Sequence, residues 1–209
     1  MALVRKTAIL RHVFFKMPSW QNSQDRRRAS SDNISVIQKE FTKQAPVFEN
    51  QWNQRMKRSN REIMDWVLNN LDRVSPHTRA LDVASGTGIF ARTIAPLCTW
   101  VDTFIISHPR SREVVALDAT EAMLIEAKAK AEKELLSNIK FTQGNAAALP
   151  FPDSSFGLVV SRLAVHHFTE PMSILDEMAR VTSPGGQVVL VDLVASEDEE
   201  QVEFERDVS

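Results

Sequence analysis

The feature that most constrains the fold is a change of hydrophobic period along the chain. Up to about residue 74 the apolar residues recur at helical spacing, as Ile34, Ile37 and Phe41 and then Ile63, Trp66, Val67 and Leu71. Beyond that come short runs in which apolar residues fill successive positions: ALDVA at 80–84, VVAL at 114–117 closed by Asp118, FGLVVS at 156–161, QVVLVDLV at 187–194, and a weaker IKFTQ at 139–143. A strand with one face in water alternates in character. A strand apolar throughout needs both faces covered, which is the condition of a parallel sheet between two layers of helix. Between the runs lie helical stretches through Ile89, Ala91 and Ile94, from 120 to 136, and from 172 to 181. The expected fold is therefore a doubly wound, mostly parallel α/β sheet of five strands, in one domain over 32–194. Ahead of it, Ser31 or Asp32 can cap a helix expected to end near Pro46, and a second helix is expected over 60–74. SPGG at 183–186 predicts a tight turn into the fifth strand.

The two ends differ in charge. Residues 1–31 hold Arg5, Lys6, Arg11, Lys16, Arg26, Arg27 and Arg28 against the single acid Asp25. On a helical wheel Leu3, Leu10, Phe14 and Met17 oppose Arg5, His12 and Lys16, although Ile9 and Val13 spoil the segregation. Two readings are open, a mitochondrial transit peptide and a basic flexible tail. Residues 195–209 carry Glu197, Asp198, Glu199, Glu200, Glu203, Glu205 and Asp207 and suit a solvated acidic tail. The whole chain is nearly balanced at −2, which argues against a nucleic-acid partner. Cys98 is the one cysteine, so neither an intrachain disulfide nor a zinc ribbon can form. No run approaches the 18 or so apolar residues of a membrane span. An intracellular, cytoplasmic protein is expected, with the mitochondrion as the alternative address.

The residues suited to chemistry gather where strands end. Gly86 and Gly88 follow the first of the apolar runs and open a helix. There free backbone N–H groups and the positive dipole end favour anionic or polar ligands, and glycines let a ligand approach the backbone. The six residues from Gly86 to Ala91 also satisfy G-x-G-x-x-A, the dinucleotide fingerprint. Asp118, at the end of the second run, can accept both hydroxyls of an adenosine ribose, which NAD and S-adenosylmethionine share. It lies further along than the ~20 residues the dinucleotide unit expects, because the stretch 98–111 (CTWVDTFIISHPRS) intervenes. Three features together break the tie, namely Asp82, the loop, strand and His pair of GNAAALPFPDSSFGLVVSRLAVHHF at 144–168, and SPGG at 183–186; a negative charge four residues before Gly86 is awkward beside a pyrophosphate and welcome beside a sulfonium and an α-amino group. His166 and His167 follow the fourth strand and suit either a general base on an acceptor or a purely structural role. Adjacent side chains diverge, and no third ligand accompanies the pair, so no metal site is expected.

With LDVASGTG, VVALDATEAML, GNAAALPFPDSSFGLVVS and ARVTSPGGQVVLVDL in that order, the chain resembles the class I S-adenosylmethionine-dependent methyltransferases. The likeness is greatest to the ubiquinone- and menaquinone-biosynthesis branch, and IQKEFTKQAPVFENQW from Ile37 resembles that branch's lid-forming leader. The resemblance implies S-adenosyl-L-methionine as cofactor and a small-molecule methyl acceptor. It implies that Asp82, Gly86 and Gly88 hold the methionine part, that Asp118 takes the ribose, that Met123 packs on the adenine and that Asn145 with Ala146 reads the adenine edge. Ala84, Ala119 and Ser161 complete the implied cofactor contacts. Core packing is the other reading of Met123, and a turn residue the other reading of Asn145. The family sheet continues with two further strands, whereas 195–209 is acidic and polar, so the fifth strand is expected to have an open edge. Two other functions stay in view: a shortened methyltransferase fold that binds cofactor without turnover, and an NAD(P)-linked oxidoreductase. The latter lacks a Tyr-Lys acid, since the chain contains no Tyr.

Overall fold

The computed structural model describes residues 7–14, 31–69, 71, 78–98, 113–168 and 170–194. Its sheet is built from β1 (Thr7–Phe14), β2 (Ala80–Val83), β3 (Val114–Asp118), β4 (Ile139–Gln143), β5 (Phe156–Arg162) and β6 (Thr182–Val194). Helices α1 (Ser31–Asn69), α2 (Ile89–Ile94), α3 (Glu121–Lys133) and α4 (Pro171–Val181) flank it. The strand order is β1-β6-β5-β2-β3-β4, and every pair of neighbours is parallel.

Both faces are buried, as the apolar runs require. Along β2, β3 and β5 successive side chains divide between two cores. Ala80, Val114, Ala116, Leu158 and Val160 join Phe90 and Ile94 of α2 and Met64 and Val67 of α1 on one side. Leu81, Val83, Val115, Leu117, Phe156 and Val159 join Ile174, Met178 and Val181 of α4 on the other. The chain runs outward from β2 through β3 to β4, then returns to β5 on the opposite side of β2. That reversal makes β2 and β5 the topological switch point, where open α/β sheets hold ligands beyond the strands' carboxyl ends.

Four expectations need correction. Residues 7–14, taken as part of a flexible or helical basic segment, form a strand whose eight residues pair with 187–194. β-branched Thr7, Ile9 and Val13 suit a strand, and the outer edge of β6 supplies the carbonyls and amides it needs. The open edge expected on the fifth strand is thereby closed. The two expected leader helices are one continuous α1 with Pro46 inside. A proline there costs about 3 kcal/mol, which burial along the helix offsets, with Ala45 at 1% and Val67 at 0% exposure. SPGG is a bulge inside β6: the pairing moves from Phe156↔Thr182 to Leu158↔Gln187, so two steps of β5 span five of β6. Gly185 takes φ +77° there, and the Ser183 hydroxyl donates to the Phe156 carbonyl at 2.8 Å. The stretch 99–111, the acidic tail and the rest of the basic segment lie outside the described residues.

Candidate active site

The loop after β2 turns sharply, with positive φ at Ala84 (56°), Gly86 (53°) and Gly88 (74°). A Cβ on Gly86 would meet nothing within 4 Å, whereas one on Gly88 would lie 3.0 Å from the Ala127 Cβ of α3. Gly86 thus faces open space at the switch point, and Gly88 lets α2 and α3 pack closely.

Two buried carboxylates hold this loop. Asp82 is 1% exposed, and its Oδ2 accepts the Ala91 N–H at 3.0 Å, tying β2 to the start of α2. Burial pushes its carboxyl up to about 7, against the opposing pull of the Ala91 hydrogen bond and the Arg162 charge. Burial in turn lowers Arg162, with Asp82 and Glu49 opposing. Asp118, at the end of β3, accepts the Gly86 N–H on Oδ2 at 2.8 Å and the Thr120 N–H on Oδ1 at 2.8 Å. Burial raises its carboxyl too, and those backbone hydrogen bonds oppose the rise. The Thr120 side chain and the Ala119 N–H hydrogen-bond to it as well.

Around the same place three buried hydroxyls have no hydrogen-bond partner among the described residues: Ser85 Oγ, Thr87 Oγ1 and Ser161 Oγ. Ser161 follows Val160, which pairs with Asp82, so the three flank the β2–β5 junction. Unpaired buried hydroxyls are costly, and their concentration at this junction suits a polar ligand. On the β3 side a cleft of about 290 Å³ is lined by Ile34, Gln38, Ala119, Gln143, Gly144 and Asn145. Gln38 of α1 and Gln143 of β4 both donate to the Ala119 carbonyl, at 2.8 and 3.0 Å. α1 therefore covers this end of the site.

The remaining expected residues divide. Met123 is 1% exposed and Ala146 6%, so both sit in the core, Ala146 against Leu81 and Leu117. Asn145 is exposed, and its Oδ1 accepts the Ala147 N–H at 2.9 Å, the local turn anticipated as its other reading. Arg180 braces that loop, donating to the Phe151 and Leu149 carbonyls at 2.9 and 3.1 Å and pairing with Glu177 and Asp153. His166 and His167 form a short 3-10 turn after β5. His166 Nδ1 lies 2.5 Å from Asp192 Oδ1, and its backbone N–H donates to Asp192 Oδ2 at 3.1 Å. His167 stands edge-on to Phe41 of α1, with ring centroids 5.1 Å apart. Burial, then the neighbouring His166, holds His167 down to about 4.

Sequence reasoning passed over Gln38, Gln143 and Asp192. Asp192 carried a signal, being the lone acid in QVVLVDLV. The glutamines carried none, since they meet at Ala119 only through the fold. Among the described residues no cluster of His, Cys, Asp and Glu could hold a metal ion, and no helix is long and apolar enough to cross a membrane.

A parallel sheet with a glycine loop at its switch point and a carboxylate at the end of the next strand defines the Rossmann-like class of adenosine binders. Within it, residues 81–190 match the family described as "Methyltransferase domain", and the chain belongs to that family. It is 35% identical over 126 residues to the uncharacterized methyltransferase YcgJ of Bacillus subtilis, covering 60% of this chain and 45% of that protein. To a demethylmenaquinone methyltransferase of Geobacillus kaustophilus it is 38% identical over 114 residues, covering 54% and 44%. The chain thus spans less than half the length of these two relatives. The crystal structure of YcgJ superposes with a TM-score of 0.55 at 32% identity, covering 68% of this chain and 54% of that one. That of a putative methyltransferase from Bacillus halodurans gives 0.56 at 32%, covering 69% and 57%. The methyl donor the family implies is S-adenosylmethionine, and the unpartnered hydroxyls and paired carboxylates fit it. Family membership also answers the question that G-x-G-x-x-A left open between a methyl donor and a nicotinamide cofactor.

Proposed function

We propose that this chain transfers a methyl group from S-adenosylmethionine to a small-molecule acceptor. The observation that carries the reading is the open space before Gly86, bounded by Asp118 and accompanied by the unpartnered buried hydroxyls of Ser85, Thr87 and Ser161. When bound, S-adenosylmethionine supplies a methyl already attached to a good leaving group. The protein's task is then to bind, orient and exclude water, which can supply roughly 7–11 kcal/mol of the barrier. Asp118 holds the loop through Gly86 and serves as acceptor for the ribose hydroxyls. The hydroxyls of Ser85, Thr87 and Ser161 serve the methionine end. Gln38, Gln143 and Ala119 flank the cleft for the adenosine end. His166 and His167 border the acceptor side, beyond β5. Relatives named as demethylmenaquinone methyltransferases support an acceptor that is a small molecule.

Calorimetry with S-adenosylhomocysteine tests the reading. Binding is expected for the parent and should weaken by about 10- to 100-fold in Asp118→Ala, the equivalent of one lost charged hydrogen bond. Binding of NADH with no response to S-adenosylhomocysteine would overturn the assignment. Unchanged affinity in a folded Asp118→Ala variant would remove Asp118 from the ribose.

A further inference from the structure

Asp192 makes two bonds to one residue, His166. It lies on β6 one step beyond Val191, which pairs with Arg162 at the end of β5. Four residues past Arg162 comes His166, so Asp192 faces it at the carboxyl edge of the sheet. Oδ2 accepts the His166 backbone N–H and Oδ1 lies 2.5 Å from Nδ1, with the carboxylate and imidazole side chains 13% and 14% exposed. A carboxylate can only accept, so Nδ1 carries the hydrogen and the imidazole lone pair resides on Nε2. The double contact fixes both the position of the residue and the tautomer of its ring. His167 adds a further constraint, its ring centroid 3.9 Å from that of His166.

The dyad also shares a roof with the donor cleft. Phe41 of α1 meets His167, while Gln38, three residues earlier, meets the Ala119 carbonyl. Three residues of helix rise about 4.5 Å. One turn of α1 therefore spans from the adenosine side of the switch point to the histidines.

Resting on the methyltransferase reading above, we propose that Asp192 is a positioning residue that holds His166 as general base toward a methyl acceptor bearing a hydroxyl group. As the acceptor oxygen forms its bond to the methyl carbon, the carbon–sulfur bond breaks and its electron pair goes to sulfur, leaving a neutral thioether. The hydroxyl proton passes to Nε2, and the resulting imidazolium is balanced by the Asp192 carboxylate. A tethering role alone would require neither the tautomer nor a chemical preference in the acceptor.

The test uses the full chain, Asp192→Asn and Asp192→Glu. Binding of S-adenosylhomocysteine is measured first: its absence from the parent sinks the methyltransferase reading itself, whereas binding is expected to be equal in all three proteins. Long-range proton–nitrogen correlation spectra then read the His166 tautomer, expected as Nδ1–H in the parent and in Asp192→Glu and lost in Asp192→Asn. Radiolabelled methyl transfer at neutral pH is followed to catechol, a primary alcohol, an aniline and a thiol. Transfer to a hydroxyl probe should fall about 100-fold or more in Asp192→Asn, the usual worth of a general base, and recover to within about tenfold in Asp192→Glu. An Nε2–H tautomer in the parent overturns the proposal. So does transfer confined to the aniline or thiol, transfer to none of the probes, or a rate indifferent to Asp192→Asn.

Discussion

Gly86 and Gly88 stand one residue apart and do different things. Both have left-handed backbone, which costs a residue with a Cβ about 1–2 kcal/mol, but only Gly88 has a neighbour in the way. Gly88→Ala is expected to lose about 2 kcal/mol or more of stability, because its Cβ would press on Ala127. Gly86→Ala should lose about 1 kcal/mol, yet weaken S-adenosylhomocysteine binding more than Gly88→Ala does. Chemical unfolding and calorimetry on the two variants separate these effects, and the reverse order would transfer the ligand-facing role to Gly88. Asp82 and His167 predict opposite trends with pH. The Asp82 carboxyl is raised from 3.8 to about 7, so its contribution to stability is whole below pH 3.8 and is lost as pH rises through 7. His167 is depressed from 6.5 to about 4, so its contribution is whole above 6.5 and is lost as pH falls through 4. Asp82→Asn should therefore gain on the parent between pH 4 and 7. His167→Gln should gain on it between pH 6.5 and 4. Urea unfolding of each variant across that range checks the signs.

Among the elements, α1 owes its position to charges that lie far apart in sequence. Glu49 on α1 accepts from Arg92 Nη2 of α2 on both carboxylate oxygens, at 2.9 and 3.0 Å, and approaches Lys130 of α3 at 3.7 Å. Arg92 is 9% exposed and also pairs with Glu134, just past α3. Removing one member of such a half-buried cluster leaves the others undercompensated. Glu49→Gln is expected to destabilise the protein by about 2 kcal/mol and to speed amide hydrogen exchange in α1 ahead of β2, β3 and β5. Uniform acceleration across the sheet would show that the cluster does not act on α1 in particular. Heptad-like spacing at Ile34, Ile37 and Phe41 foretold a helix here, but Pro46 was a misleading stop signal. A proline opposes helix locally, and the packing that outweighs it comes from partners the local sequence does not contain.

For the whole molecule the consequential element is β1. It pairs with residues 187–194 on the outer edge of β6, and an unpaired parallel strand edge invites association. Deleting residues 1–14 is expected to lower the melting temperature and to produce concentration-dependent oligomers in light scattering. If the shortened chain remains as monodisperse as the full one, β1 does not guard that edge. What the sequence determined by itself was everything written in local period and motif order: the five strands β2 to β6, of which β2, β3 and β5 are buried on both faces, the glycine loop, Asp118 at the end of its strand. Those follow because a strand with two covered faces must be apolar throughout and a tight turn at positive φ must be small. Only the tertiary structure decided that TAILRHVF is a strand, that Asn145 spends an oxygen on its own turn, that Gln38 roofs the cleft and that Asp192 grips His166. Each of those depends on a partner tens of residues or more away, or on the choice between two local bonds, and neither is encoded in periodicity.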